Sequence, residues 1–141
     1  MDQKRYRLEY AVLAKRLGEN LFKFFNVGRA DAYLVAGART NRGNIYTLRI
    51  ELGDFPNDVP EVYVTKMLCD RRGNPLDTPS AEMHVLPSKN GWTRICHYGW
   101  ESWTPKVSLF KVYVKCRLWL EMYELHLQTG HHIDYYLNHQ A

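Results

Sequence analysis

No stretch of this chain is apolar for long enough to cross a bilayer, which takes roughly 20 consecutive residues. The polar start Met1-Asp-Gln-Lys-Arg5 also lacks the apolar core of a secretory signal. A protein of the cytosol with no membrane partner is expected. Three cysteines, odd in number and unevenly spaced, do not make a disulfide framework. There is no Cys-x-x-Cys, and the His131-His132 pair lacks partners at a recognised zinc spacing, so no metal is expected. No Gly-rich phosphate loop and no Gly-x-Ser-x-Gly turn occurs, and nothing calls for a cofactor. The net charge of +4 comes without a dense basic run, which puts nucleic-acid binding behind every other function weighed. Internal repeats and low-complexity tracts are missing as well.

What remains is the composition of one compact domain spanning residues 1–141, with 45% hydrophobic and 24% charged residues. Tyr6, Tyr10, Leu13, Ala14 and Leu17 fall on one face of a helix over 3–17. Gly18 is a plausible stop, although Leu21, Phe24 and Phe25 resume the helical spacing. Residues 33–38 read as a strand and 40–44 as its turn. From Ile45 to Leu52 the chain alternates strictly, the mark of an antiparallel strand covered on one face only. Residues 61–65 give a third strand beyond Pro56 and Pro60. The stretch from Cys69 to Lys89 has little periodicity and three prolines; because it leads to Cys96, a functional loop is favoured over disorder. Trp92 to Ile95 can form a short strand, and 101–105 a loop.

Residues 108–129 carry the clearest helical pattern. Leu109, Val112, Tyr113, Cys116, Trp119, Leu120, Tyr123 and Leu127 share one face, and Gly130 ends it. A second stripe, Val114, Leu118, Met122 and Leu125, lies opposite. Residues 133–137 folding back, or a homodimer contact, would cover it. His126 reads as solvated. The fold class expected is α+β: an N-terminal helix, an antiparallel meander, and a long C-terminal helix packed on one side of the sheet.

The cysteines differ in setting. Cys116 sits mid-face on the long helix, where a thiol acts as a small hydrophobe. Cys69 precedes Asp70-Arg-Arg72 at a strand end or loop. Cys96 closes Gly91-Trp-Thr-Arg-Ile-Cys96 and is followed by His97 and a tryptophan-rich loop. Adjacent residues in extended backbone point to opposite faces, so His97 is a poor base for its neighbour; His84 is the better candidate.

The order of motifs resembles that of the ubiquitin-conjugating enzymes, whose antiparallel sheet is backed by helices. Phe55-Pro-Asn-Asp-Val-Pro60 is similar to their Tyr-Pro-x-x-x-Pro turn. Gly91 to Cys96 resembles the segment ending in their thioester cysteine, and Trp103-Thr-Pro105 the Trp-Ser-Pro that follows it. The eukaryotic members place a His-Pro-Asn before the cysteine, whose Asn supports the oxyanion. Here His84-Val-Leu-Pro87 has no Asn beside it, and Asn90 is the candidate replacement. The run from Trp119 to Gly130 looks more like the bacterial conjugating-like enzymes of antiphage operons.

The resemblance implies an acyl transferase. An activating enzyme would pass a ubiquitin-like protein to Cys96 as a thioester, and an amine of a protein target would then displace the thiolate. Asn90 and His84 would assist, while Lys4, Arg5, Phe55, Pro60, Trp103 and Pro105 would meet partners. The basic face of the first helix is equally well a solvated one. Two other classes stay open: a non-catalytic module that binds a ubiquitin-like protein, and a cysteine hydrolase using Cys96 and His84, for which the sequence offers no clear orienting third residue.

Overall fold

The computed structural model describes residues 1–138. Helix α1, Gln3–Arg16, starts where the Asp2 side chain accepts the Arg5 N–H at 2.7 Å and stops ahead of Gly18, whose φ of 87° no helix continues through. A short 3-10 turn, Glu19–Leu21, leads into strand β1, Phe22–Phe25. The helical spacing of Leu21, Phe24 and Phe25 is therefore misleading. Phe22 and Phe24 pack edge to face, and Tyr10 of α1 lies against both, so the aromatics belong to a strand under a helix.

Strands β2 (Tyr33–Arg39), β3 (Ile45–Glu51), β4 (Val62–Val64), β5 (Val85–Lys89) and β6 (Trp92–Ile95) complete a six-stranded sheet in the order β1-β2-β3-β4-β6-β5. Every neighbouring pair is antiparallel. The expected alternation is seen in β3: Tyr46, Leu48 and Ile50 are buried, and Ile45 and Thr47 are exposed. The 69–89 segment is not irregular throughout, because its last five residues are β5. Pro87 is tolerated there because β5 is the outer strand, with β6 on one side only.

Helix α2, Leu109–Thr129, is capped by Ser108, whose Oγ accepts the Lys111 N–H, and by Gly130 in the left-handed conformation. Leu109, Val112, Cys116, Trp119 and Leu120 are at most 2% exposed and meet the inner face of the sheet, where Leu34, Leu48, Ile50, Val64 and Ile95 are equally buried. Removing any one of these aliphatic side chains to Ala costs about 2–5 kcal/mol. Leu127 departs from expectation and is exposed, because it lies in the last turn beyond the sheet. The second stripe divides. Helix α3, Ile133–Asn138, folds back on α2 with Ile133 fully buried, and Met122 is covered, while Val114 and Leu118 stay in solvent.

His126 is buried rather than solvated. Its Nε2 accepts the Arg71 N–H and its Nδ1 meets the His131 carbonyl, which ties the 70–74 turn and the start of α3 to α2. Glu124 is buried too. Burial alone would raise its pKa, but hydrogen bonds from Thr40, Asn44 and Tyr46 hold the carboxyl below its usual range and pin the β2–β3 turn. Among the described residues no helix is long and apolar enough to cross a membrane.

Candidate active site

Cys96 is the first residue beyond β6. Pairing of Val85 with Ile95 and of Leu86 with Arg94 sets the hairpin register, and His84 and Cys96 are the residues just beyond its open end. The Cys96 N–H donates to the His84 carbonyl at 2.9 Å. The two side chains line the same clefts, which brings imidazole and thiol onto one surface. Cys96 is half-buried, Cys69 exposed and Cys116 fully buried, where burial pushes its thiol pKa far up.

Three clefts meet at Cys96. One, of about 360 Å³, runs toward α2 between His84, Lys115, Leu118 and Met122. A second, of about 540 Å³, is walled by Ser80, Glu82, His84 and Asp134. A third, of about 310 Å³, passes between Leu86, Tyr98 and Trp100, the last 80% exposed. Two further depressions, one beside Asp54 and Arg94 and one beside Arg71 and His132, hold neither a thiol nor a hydroxyl side chain. Among the described residues no group of His, Cys, Asp and Glu could hold a metal ion.

The two histidines near the thiol have opposite roles. His97 points away: its Nε2–H donates to the Pro60 carbonyl at 2.8 Å, and burial lowers its pKa to about 4. His84 is half-exposed, and its Nε2 lies 2.9 Å from Asp134 Oδ1. Asp134 is the partner of His84 that the sequence did not disclose. It stands fifty positions away on α3, whose docking is fixed by the Asp134 N–H donating to the Glu82 carbonyl at 2.8 Å. The Cys96 thiol has no hydrogen bond to either ring among the described residues.

Asn90 is not at the site. It occupies the β5–β6 turn with φ 56°, next to Gly91 with φ 73°, the left-handed pair that a two-residue hairpin demands. With β6 between them, Asn90 and Cys96 stand on the order of 15–20 Å apart. Residues 85–95 thus form one hairpin with Asn90 at its tip. Donors nearer the thiol come from the backbone: no described residue accepts a hydrogen bond from the N–H of His97, Tyr98 or Gly99.

Most of the expected partner contacts turn inward instead. Phe55 is 2% exposed and Pro60 is buried. The Phe55–Pro56 peptide is cis, and Trp103 Nε1–H donates to the Pro56 carbonyl at 2.9 Å while its ring meets Phe55 and Tyr98 edge-on. The Arg5 guanidinium lies 4.9 Å from the centre of the Phe55 ring, pairs with Glu9 at 2.9 Å, and donates to the carbonyls of Pro105 and Val107. Glu9 in turn accepts the Leu109 N–H at 2.7 Å. Arg5, Phe55, Pro60 and Trp103 therefore form a clamp on the 97–107 segment. Charges and aromatics scattered over a hundred positions give no sign of this in sequence. Lys4 and the Pro105 ring remain at the surface, as do Arg7, Leu8, Val12, Lys15 and Arg16 of α1.

No protein-family model, curated protein or solved structure matches the chain.

Proposed function

We propose that this chain is a ubiquitin-conjugating-like enzyme that carries a ubiquitin-like protein as a thioester on Cys96. The observation that carries the reading is the setting of Cys96: a half-exposed thiol at a strand end, where three clefts meet, followed by three backbone N–H groups that donate to no described residue. The succession of helix, meander, cysteine segment, Trp loop and long helix supports it, matching the motif order of the resemblance.

The chemistry proceeds in two acyl transfers. The Cys96 thiolate attacks the thioester on an activating enzyme, a new C–S bond forms, and that enzyme's thiolate leaves. An amine of the target then attacks the same carbonyl, the C–N bond forms, and Cys96 departs as thiolate. Each step passes through an oxyanion, and the reading assigns its stabilisation to the N–H groups of residues 97–99, which donate to no described residue. The clamp keeps those donors in position as the acyl group changes hands. Lys4 and the exposed basic and apolar face of α1 suit the activating enzyme. The setting is bacterial antiphage conjugation, with a free protein amine as acceptor.

A cysteine hydrolase is the second reading, favoured by one observation, the His84–Asp134 pair beside the thiol. The two readings part in one experiment. Mixed with its activating enzyme, its ubiquitin-like protein and ATP, the chain gains a reductant-sensitive adduct that Cys96→Ala abolishes and Cys69→Ala and Cys116→Ala leave intact. Cys96→Ser traps a slower-hydrolysing oxyester. ATP-independent cleavage of a finished conjugate instead assigns the hydrolase, and complex formation without any covalent species leaves only a binding module.

A further inference from the structure

We propose, resting on the acyl-transfer reading above, that His84 held by Asp134 takes the proton of the attacking amine and returns it to the departing Cys96 sulfur. Helix α3 is then part of the catalytic machinery and not only a cover for α2.

The observations are geometric. His84 is joined to Cys96 by the 2.9 Å backbone hydrogen bond at the open end of the β5–β6 hairpin and lines two of the clefts that reach the thiol. A carboxylate only accepts hydrogen bonds, so the 2.9 Å contact with Asp134 places the ring hydrogen on Nε2 and leaves Nδ1 with a free lone pair. The backbone at His84 is left-handed, φ 50°, which bends the chain out of the ladder at that residue. The second cleft, which contains Cys96, His84 and Asp134 together, is an approach for an amine to this face.

An acceptor amine is protonated at neutral pH and must lose a proton to bond to carbon. Imidazole is the usual side-chain carrier of such a proton. As the C–N bond forms, the amine proton passes to Nδ1, and the Asp134 carboxylate stabilises the imidazolium. When the C–S bond breaks, the imidazolium protonates the thiolate. The second proton that the ammonium sheds on becoming an amide nitrogen goes to solvent water, so the cycle ends with an amide, a neutral imidazole and a free thiol, and needs no other reactant.

The test loads Cys96 chemically by exchange with a short glycyl thioester, so that no partner protein is needed, and follows discharge to free lysine and to hydroxylamine at neutral pH. Hydroxylamine is already largely unprotonated there. His84→Asn, which keeps a residue tolerant of positive φ, lowers discharge to lysine about 100-fold, and Asp134→Asn lowers it about 10-fold or more. Loading is read by mass before discharge, and both variants lose several-fold less toward hydroxylamine, which needs no deprotonation before it attacks, than toward lysine. Asp134 is half-exposed, so its variant keeps the fold. Equal slowing toward both amines, or no slowing toward lysine, overturns the proposal. Failure of wild-type Cys96 to accept an acyl group from an activating enzyme overturns the conjugation reading instead, and the lysine-to-hydroxylamine ratio is read independently of it.

Discussion

The imidazole of His97 donates to the Pro60 carbonyl at 2.8 Å, which turns it away from the thiol of the residue before it. The nearest histidine in sequence is thus spent on holding the loop, and the one that shares clefts with Cys96 comes from across the hairpin.

This burial gives His97 a measurable effect on stability. Its folded pKa is lowered to about 4 from 6.5, so its contribution is fully present above pH 6.5 and is lost as pH falls toward 4. In that window the unfolded chain binds a proton that the folded one refuses. The loss attributable to His97 is roughly 2 kcal/mol between pH 7 and pH 5. His97→Gln keeps a donor for Pro60 and does not titrate, so its urea midpoint falls less than that of wild type over the same interval. Parallel curves for the two proteins would contradict this.

The thiols should separate by accessibility. A small alkylating reagent modifies Cys69 and Cys96 in the folded protein and reaches Cys116 only on unfolding, because burial raises its pKa and removes it from solvent. Peptide mapping after a short exposure reads the order. Modification of Cys116 alongside Cys96 would place α2 wrongly.

Arg5→Ala should lower global stability by roughly 2 kcal/mol or more. It removes charge-assisted hydrogen bonds to two carbonyls and takes the cation from the buried Glu9 carboxylate. Denaturant titration measures it. An unchanged midpoint with weakened partner binding would return Arg5 to the surface role its charge suggested.

Asn90→Ala should discharge the loaded thioester at the wild-type rate, since the residue stands at the wrong end of β6. It should destabilise the hairpin by about 1 kcal/mol, because Ala disfavours positive φ, and Asn90→Gly should recover most of that. A slowed discharge in Asn90→Ala at unchanged stability would reinstate it as an oxyanion donor.

The residues that could be read correctly from sequence were those whose signal is local. Alternation over 45–52 and the three-and-four spacing over 109–123 are set by which face meets the core, and both are seen. Phe24 and Phe25 misled because two aromatics fit either period when Gly18 is allowed inside the helix. Pro87 hid β5, since a proline is compatible with a strand only at the sheet's edge, and edges are a property of the whole sheet. Cys96 stood out by motif. Asp134 did not: one acid in a polar tail says nothing until α3 is docked. His126 failed likewise, its solvated appearance depending on a turn that lies 55 residues earlier.

The clamp joins residues a hundred positions apart, Arg5 to Pro105 and Glu9 to Leu109. The 97–107 segment therefore acquires its shape only when the first helix reaches back across nearly the entire domain, a closure of high contact order that forms after the local hairpins do. A chain still emerging from the ribosome, or one caught partly folded, holds the thiol without the frame around it. Under the proposed acyl-carrier role, this dependence would keep a half-made molecule from accepting a cargo it has no means to deliver.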